Sequence, residues 1–541
     1  MITKNIKHFI VAGTLCCGLS ATFTACSDWS DHYEGADGGE GSGATLWEQL
    51  KADAQLSDFC EVLEQTKVFR MHKKTSISYA ELLNSGEAFT VVAPVNGTFD
   101  KDAYLQLVQT NQGDSIVEKF FVKNHLSGIL ASLTPTEKSM LLLNSKHVSI
   151  GDNAIEGVTV SKANQRAKNG VLHVVNGPLP YRYSLYESLC DIPEMNTVGE
   201  QLRIYDEDYF DADASVSSGI VEGVPVYVDS VVVERNRFLE RVGLLAAEYS
   251  TYWVVSPSNT GWNEAWAEAS TYFQYDEKVL KRDSLNHYWT TYALLSDGVF
   301  NMTDQKSLQA TNDSLISVPY NRLKPEYHVF YKPFEDGGVL SKATPVDCSN
   351  GTLFVTEKWP FTPEQTYFWK LWSEAEQTNL ITNYKDCTYD VRRVAADSIS
   401  EGAYLDIVPR TSTSNWEITF KVNNTLSGAY DICAVVLPKS VADQINPDQR
   451  KSKFKAFINY VDEKGNAKTD NCGNKEFTND PLRVDTIVLA EAFKFPACNY
   501  DQQDIKVSVR LLCSITARQT STYAREMYLD CIYLRPRRVN E

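Results

Sequence analysis

Two histidines lie in sequence surroundings that could support acid–base or metal chemistry. His125 follows the apolar run Phe120–Val122, and His173 lies between Leu172 and Val174. A pair of imidazoles could bind a metal or transfer protons near neutral pH. His173 alternates with apolar residues in a strand-like run, however, and no set of carboxylates accompanies it. We therefore expect both histidines to be structural, and the sequence predicts no catalytic residue.

A run of acidic residues offers oxygen ligands for a cation. The carboxylates are those of Asp206, Glu207, Asp208, Asp211 and Asp213. Calcium binds such ligands, but the run lacks the central glycine and the terminal glutamate of an EF-hand loop. The alternative is a solvated insertion loop, which we favour, so the sequence predicts no metal site and no cofactor.

Aromatic side chains offer a third kind of chemistry, because they stack on sugar rings and anchor protein interfaces. Trp262 and Trp266 lie in a segment dense in aromatic residues, and Trp416 and Tyr430 lie in later strand-like runs. Aromatic residues at helical spacing belong more often to the core. Because exposure cannot be read from a sequence, these four residues remain candidates for ligand binding.

Composition and missing motifs narrow the function further. The chain has 541 residues and a formal net charge of −18, and such a chain repels phosphate backbones, so nucleic acid is excluded as a partner. The sequence contains no GxSxG, HExxH, Walker A or GxGxxG motif. Paired carboxylates could still serve glycoside hydrolysis among 70 acidic residues. We predict that the protein is not an enzyme, and a polysaccharide-active enzyme stays an unsupported alternative.

The first residues predict export and a lipid anchor. Lys4 and Lys7 precede an apolar run that ends at Leu19, which is typical of a signal peptide over residues 1–25. The segment Phe23–Cys26 resembles a bacterial lipobox, in which acyl chains such as palmitate would be attached to Cys26. An ordinary cleaved signal peptide with a chance cysteine is the alternative.

Residues 26–44 are acidic and then glycine-rich, as expected of a flexible tether. The acidic residues after Cys26 resemble the surface-export signal of Bacteroidetes lipoproteins. This resemblance implies an outer-membrane lipoprotein that faces the cell surface.

Cysteine usage gives no metal site. Nine cysteines follow Cys26, and none has the spacing of a metal site. Cys472 and Cys498 lie in polar segments and are the pair that we would test first for a disulfide.

The elements that position these residues begin with a helix and a buried strand. Thr45 and Glu48 form a capping-box pattern ahead of an apolar helix. A β-branched strand at Phe89–Ala93 ends at Pro94, and a second strand runs to Val175. Together with the segment 120–128, these strands resemble the fasciclin (FAS1) family. The resemblance implies an α+β domain with a β-wedge at residues 45–183.

An internal repeat follows. Ser184–Leu189 has the same pattern as the first helix, Tyr252–Pro257 matches the first strand, and Asn350–Thr356 matches the closing strand. These segments resemble a second FAS1 domain at residues 184–371. Phe354 replaces His173, and an insertion at Tyr205–Glu234 separates the first helix from the next.

Residues 372–541 predict an all-β domain. Alternating apolar runs at short spacing predict seven strands, at 404–408, 416–422, 430–437, 454–461, 484–489, 505–512 and 527–534. Such a pattern is typical of a β-sandwich or jelly roll. The last run resembles the final strand of a galactose-binding-like sandwich.

These features together predict a surface-exposed, non-catalytic adhesion or protein-interaction lipoprotein, anchored in the outer membrane through Cys26. FAS1 domains are known as adhesion modules, so the resemblance implies binding without turnover. The alternative is an accessory subunit of a SusC/SusD-like outer-membrane complex that binds a glycan or a protein partner.

Overall fold

The structure is a computed structural model of the chain. It describes residues 43–70, 73–151, 153–221, 224–302, 314–317, 328–394, 399–442, 444–445 and 447–538, without the side chains of residues 211–234. The predicted signal peptide, Cys26 and nearly all of the predicted tether lie outside these ranges.

The chain forms two compact units. The first comprises residues up to Leu179, apart from the short segments 70–73 and 145–147, and the second comprises the remainder. Up to Val175 the helices are α1 (Leu46–Ala52), α2 (Ser57–Gln65), α3 (Tyr79–Leu83), α4 (Lys101–Leu107) and α5 (Asn111–Val117). The strands are β1 (Lys67–Arg70), β2 (Lys73–Ser78), β3 (Phe89–Pro94), β4 (Leu126–Ser127), β5 (Lys138–Leu141), β6 (His147–Ile150), β7 (Ala154–Ile155), β8 (Val158–Ala167) and β9 (Gly170–Val175).

The first unit contains the predicted helix and the two predicted strands. Thr45 caps α1 in a capping box with Glu48. Strands β3 and β9 pair in parallel at the centre of a seven-stranded sheet with the order β4-β3-β9-β8-β7-β6-β5. Every residue of β3 and β9 is buried, which accounts for their apolar, β-branched composition.

One segment departs from the sequence pattern. Thr134 and Pro135 predict a helix start, because proline is favoured in the first helical turn. The structure instead has a turn followed by β5. Here Asn164 accepts a hydrogen bond from the backbone of Leu133 at 2.8 Å, and the burial of Met140 and Leu142 on alternate residues favours a strand.

A buried asparagine ties the first unit together. The Oδ1 atom of Asn169 accepts a hydrogen bond from the backbone N–H of Leu46 at 2.8 Å. Its Nδ2 group donates to the carbonyl oxygens of Leu83 and Ser85, both at 2.9 Å. Its own carbonyl accepts from the N–H of Phe89 at 3.1 Å. Through its side chain and its backbone carbonyl, this one residue therefore connects α1, the end of α3 and the start of β3.

The second unit begins with further helices and strands. Its helices are α6 (Leu185–Asp191), α7 (Asn196–Arg203), α8 (Leu239–Val242), α9 (Asn259–Ser270) and α10 (Arg282–Gly298). Up to residue 358 its strands are β10 (Asp206–Val221), β11 (Val224–Asn236), β12 (Tyr252–Ser258), β13 (Val299–Asn301), β14 (Ser314–Ile316), β15 (Val329–Tyr331), β16 (Thr344–Cys348) and β17 (Gly351–Lys358).

These elements have the same local geometry as the first unit. The sheet order β13-β12-β17-β16 corresponds to β4-β3-β9-β8, and β12 pairs with β17 in parallel. The register matches too, because Tyr252 faces Gly351 as Phe89 faces Gly170. Asn350 accepts from the N–H of Leu185 at 2.8 Å and donates to two carbonyl oxygens, as Asn169 does.

The insertion between α7 and α8 is a long antiparallel hairpin formed by β10 and β11. The sequence favoured a solvated loop at this place. The valine-rich, alternating sequence of β11 explains the difference, because β-branched residues favour paired strands.

Residues beyond 370 form a two-sheet β-sandwich. Its strands are β18 (Leu371–Glu374), β19 (Ile381–Lys385), β20 (Cys387–Arg393), β21 (Ala403–Pro409), β22 (Glu417–Lys421), β23 (Ala429–Leu437), β24 (Lys451–Val461), β25 (Ala467–Asp470), β26 (Phe477–Thr478), β27 (Asp485–Lys494), β28 (Ser508–Cys513), β29 (Tyr523–Ala524) and β30 (Met527–Arg537). All seven predicted strands are present.

One sheet has the order β20-β21-β30-β23-β27 with β18 on β30, and the other has β19-β22-β28-β24-β25 with β26 and β29 on β24. Between the two sheets the inward-facing residues form a continuous apolar core. This core includes residues of α9, α10 and β12, so the sandwich and the preceding α/β part are packed as one body. Phe368 lies between them, with ring centroids 4.6 Å from Tyr272 and 4.9 Å from Tyr430. In the described parts of the chain, no helix is long and apolar enough to cross a membrane.

Candidate functional site: an aromatic and basic face of the sandwich

The two histidines singled out from the sequence are buried in the first unit. His125 is fully buried, its Nδ1 atom lies 2.7 Å from the carbonyl oxygen of Phe121, and its Nε2 atom accepts from the N–H of Leu179 at 2.9 Å. The imidazole is therefore neutral, with its proton on Nδ1. Burial lowers the pKa of His125 to about 4. Such a group cannot exchange protons with a substrate near neutral pH.

His173 has the same kind of role. Its Nδ1 atom accepts from the N–H of Asn164 at 3.2 Å, and its Nε2 atom lies 3.0 Å from the carbonyl oxygen of Ala131. Burial lowers its pKa, although the hydrogen bond to Ala131 opposes this effect. Each histidine thus joins a backbone donor to a backbone acceptor, as expected for a structural residue.

The acidic run lies on a strand. Asp206 accepts hydrogen bonds from the Tyr186 hydroxyl at 2.6 Å and from Asn236 at 2.8 Å. Side chains of an extended strand alternate between its two faces, so successive carboxylates of the run do not converge. The side chains of Asp211 and Asp213 lie outside the described residues. Within the described ranges, no three acidic, histidine or cysteine side chains are grouped closely enough to hold a metal ion.

Three of the four candidate ligand-binding aromatics are core residues. Trp262, Trp416 and Tyr430 are each 1% exposed. Trp416 donates its indole N–H to the carbonyl oxygen of Arg525, and the Tyr430 hydroxyl accepts from Leu426 at 3.2 Å. Their rings have no free face for a ligand, because the sandwich core and α9 enclose them. Trp266 is partly buried and contacts the ring of His287.

The nine cysteines after Cys26 are all free thiols and all buried. The disulfide considered for Cys472 and Cys498 is therefore absent. Both thiols lie in the apolar core rather than in polar segments, and desolvation raises their pKa to about 12, which leaves little reactive thiolate.

An aromatic and basic cluster, in which Trp372 and Arg535 are exposed and Tyr533 is buried, lies instead on the outer face of the sandwich. In the sheet that contains β30, Ile532 and Leu534 point into the core, so Tyr533 and Arg535 point outward. Trp372 pairs with Tyr533 across β18 and β30, and the same alternation places Lys370 beside Arg535. We refer to Lys370, Trp372, Tyr533 and Arg535 as the Trp372 face.

The geometry of the Trp372 face is defined by a cation–π contact. The Lys370 ammonium lies 3.6 Å from the Trp372 ring centroid and 3.7 Å from the Tyr533 ring centroid. The two rings are 5.1 Å apart and tilted by 45°. Trp372 is nevertheless 43% exposed. The ring is therefore partly open to solvent, with the Lys370 ammonium over one face.

The buried carboxylate of Asp431 fixes the positions of two arginines near the Trp372 face. Asp431 is fully buried and accepts from Arg535 at 2.6 Å and from Arg537 at 2.8 Å. Burial alone would raise the pKa of Asp431, but the hydrogen bonds from the Ala492 backbone and from the two arginines hold it below its usual value. Lys370, by contrast, has no ion pair with any described residue. Burial beside the rings lowers its pKa, and the nearby Arg535 adds to this effect.

A cleft adjoins the same end of the sheet. It has a volume of about 610 Å³ and is lined by residues that include Tyr272, Ser427, Lys494, Phe495 and Arg537. Clefts of several hundred Å³ are typical of ligand sites. Arg537 belongs to both the cleft and the ion-pair network of Asp431, and it links the Trp372 face to a cleft whose lining carries both basic residues and two glutamates, Glu277 and Glu463.

None of the four residues of the Trp372 face was predicted from the sequence. The alternation within β30 could have placed Tyr533 and Arg535 on one side of the strand. The pairing of β30 with β18 joins segments far apart in the chain, and no local pattern indicates it.

Comparisons with solved structures give three distant similarities. The chain is similar to the N-terminal modules of endo-1,4-beta-D-xylanase 10B of Clostridium thermocellum, complexed with xylohexaose, with 9% identity, 31% of this chain and 29% of that chain covered, and a TM-score of 0.22. It is similar to a xylan-binding domain from Paenibacillus barcinonensis with 14% identity and a TM-score of 0.21. The match covers 31% of this chain and 92% of that domain. It is also similar to a FAS1 domain pair of the insect cell adhesion molecule Fasciclin I, with 12% identity and a TM-score of 0.19. The match covers 57% of this chain and 98% of that chain.

TM-scores of this size carry no structural argument, and the chain spans less than a third of the first of these structures. No curated protein matches the chain. The family model of the Fasciclin domain matches residues 56–180, the part of the chain in which β3, β9 and His125 are found. The first unit of this protein therefore contains a fasciclin domain.

Proposed function

We propose that the protein is a non-catalytic adhesion protein of the cell surface and that its sandwich binds a ligand through the Trp372 face. The observation that carries this proposal is the exposed indole of Trp372 beside Lys370, which has no acidic partner among the described residues. Exposed aromatic rings on a rigid sheet stack on sugar rings and anchor protein contacts with little loss of conformational entropy. A glycan is the favoured ligand, because the exposed part of the Trp372 indole can stack on a sugar ring.

We also propose a second fasciclin-like copy at residues 184–371, after a first at 45–183 and before a galactose-binding-like sandwich at 372–541. The matched registers of β3 with β9 and of β12 with β17 support the second copy. The equivalent hydrogen bonds of Asn169 and Asn350 support it further. Two adhesive modules and a binding sandwich on one chain suit attachment at a surface.

Replacement of Trp372 by alanine tests the binding proposal. We expect W372A to reduce binding to immobilised glycans by about tenfold, since stacking and its apolar contact contribute roughly 1–2 kcal/mol. Tyr384→Ala is the matched control, because Tyr384 is 51% exposed on the other sheet. Glycan arrays and biolayer interferometry would measure the effect. Equal losses in W372A and Y384A, or binding that survives both changes, would contradict the proposal.

The proposed anchor requires its own test. Metabolic labelling with an alkyne analogue of palmitate should mark the wild-type protein and leave Cys26→Ala unlabelled, with the wild-type protein accessible to protease on intact cells. An unlabelled wild-type protein recovered in the soluble periplasm would contradict the anchor. Stoichiometric co-purification with an outer-membrane porin would favour the accessory role in a SusC/SusD-like complex.

A further inference from the structure

The N–H groups of the Lys370 ammonium donate to no carboxylate among the described residues. Among the described residues it contacts the rings of Trp372 and Tyr533 and forms no ion pair. A cation that is partly desolvated and lacks a counter-charge gains more from binding an anion than a hydrated surface lysine does. Its lowered pKa has the same physical cause.

The local charge is the reverse of the charge of the whole molecule. Lys370, Arg535 and Arg537 contribute three positive charges, against the two carboxylates of Asp431 and Glu374. The chain as a whole carries a formal net charge of −18. A positive patch on such a chain attracts negatively charged ligands to one place.

The two cations nearest Trp372, Lys370 and Arg535, offer different hydrogen-bonding groups to an anion. Arg535 is engaged by Asp431 through both Nε, at 3.2 Å, and a terminal nitrogen, at 2.6 Å. A phosphate or sulfate group is best held by a free guanidinium fork, and Arg535 does not present one. The ammonium of Lys370 can donate to a single carboxylate without breaking an existing bond.

We propose that the Trp372 face binds glycans that contain uronic acid residues. One face of the pyranose ring packs on the part of the Trp372 indole that Lys370 leaves open to solvent, and the sugar carboxylate accepts hydrogen bonds from the Lys370 ammonium at the edge of the indole. Arg535 adds a long-range attraction from the neighbouring strand. This inference rests on the proposed glycan binding and adds the chemical class of the ligand.

The experiment compares the affinity of the protein for one polymer with and without its negative charges. The full-length mature protein is titrated with polygalacturonate and with its methyl ester, which has the same sugar ring without the negative charge. We expect the acidic form to bind about tenfold more tightly at low salt, and we expect Lys370→Met to remove most of the difference. Lys385→Met is the matched control, because Lys385 is exposed on the other sheet. Circular dichroism would verify that each variant is folded.

The outcomes separate the two levels of the proposal. Equal binding of both polymers, lost in W372A and unchanged in K370M, would overturn the uronate inference and leave glycan binding intact. Preference for dextran sulfate over polygalacturonate would also overturn it, because it would indicate a general polyanion site. Absence of binding to all three polymers and to a glycan array would overturn the proposed function itself.

Discussion

At the scale of single residues, the two histidines of the first unit replace backbone pairing where the chain is irregular. His125 joins Phe121 to Leu179, and His173 joins Ala131 to Asn164. Each imidazole satisfies one donor and one acceptor that would otherwise be buried without partners, at a cost of about 1–3 kcal/mol per group. Their neutral state is thus part of the fold.

This neutral state predicts a pH dependence of the first unit. Above pH 6.5 His125 is neutral in both the folded and the unfolded chain. As the pH falls from 6.5 toward the folded pKa of about 4, only the unfolded chain binds the proton. The stability of the folded first unit should therefore decrease by about 3 kcal/mol over this range. Urea unfolding of the first unit at pH 7, 5.5 and 4.5 would measure it.

His125→Gln provides the comparison. The variant should be less stable than the wild type at pH 7, because glutamine does not reproduce both hydrogen bonds of the imidazole. Its stability should change less between pH 6.5 and 4, since the titrating group has been removed. An unchanged slope in the variant would assign the pH dependence to other groups.

Residue type alone did not identify the exposed aromatics. Trp262 and Trp416 carry the same sequence signal as Trp372, yet two of them are enclosed and one is open to solvent. The difference arises from which face of an element the core covers, and that depends on pairing between distant strands. The structural role of His125 could be predicted, because the apolar residues around it already indicated burial.

At the scale of elements, strands were predictable and one insertion was not. The seven runs of the sandwich alternate clearly, and each forms a strand, because period-two patterning is a local property. The segment at 206–236 combines acidic residues with valines, and it forms a hairpin. The hairpin forms because its two arms pair with each other. The sequence of either arm alone does not indicate this pairing.

The asparagine that links helix and strand gives a prediction at this scale. Asn169→Ala and Asn350→Ala should each lower stability by about 2–4 kcal/mol, since they remove four and three side-chain hydrogen bonds respectively and leave buried backbone groups unpaired. N169A should shift the unfolding of the first unit, and N350A that of the second. Differential scanning calorimetry of the full chain would resolve the two effects.

Asn383→Ala is the control for both substitutions. Asn383 is exposed and makes one weak side-chain hydrogen bond, at 3.4 Å, so its loss should change stability by less than about 0.5 kcal/mol. A loss of stability in N169A with no loss in N350A would argue against the proposed equivalence of the two parts.

At the scale of the whole molecule, the second unit is larger than any single predicted domain. Its apolar core runs from the α/β part into the sandwich, and Phe368 packs against an aromatic ring on each side. Sequence periodicity indicated where each part begins but not that the two share a core. Shared cores depend on the surfaces that remain apolar after each part has folded.

This shared core predicts cooperative loss of stability. Phe368→Ala should destabilise the second unit by about 3–5 kcal/mol, as expected for a large buried side chain. Hydrogen exchange should increase together in α10 and in β23, because both depend on the same core. Increased exchange in the sandwich alone would show that the two parts unfold separately.

The nine buried thiols have a consequence for how the protein would become inactivated. If the chain functions outside the cytoplasm, as proposed, its sulfur atoms are protected from oxidants only while the core is closed. A molecule that opens on heating would expose several thiols at once, and random cross-links would form before it could refold. Thermal inactivation would then be irreversible in air and would become reversible when a reductant is present.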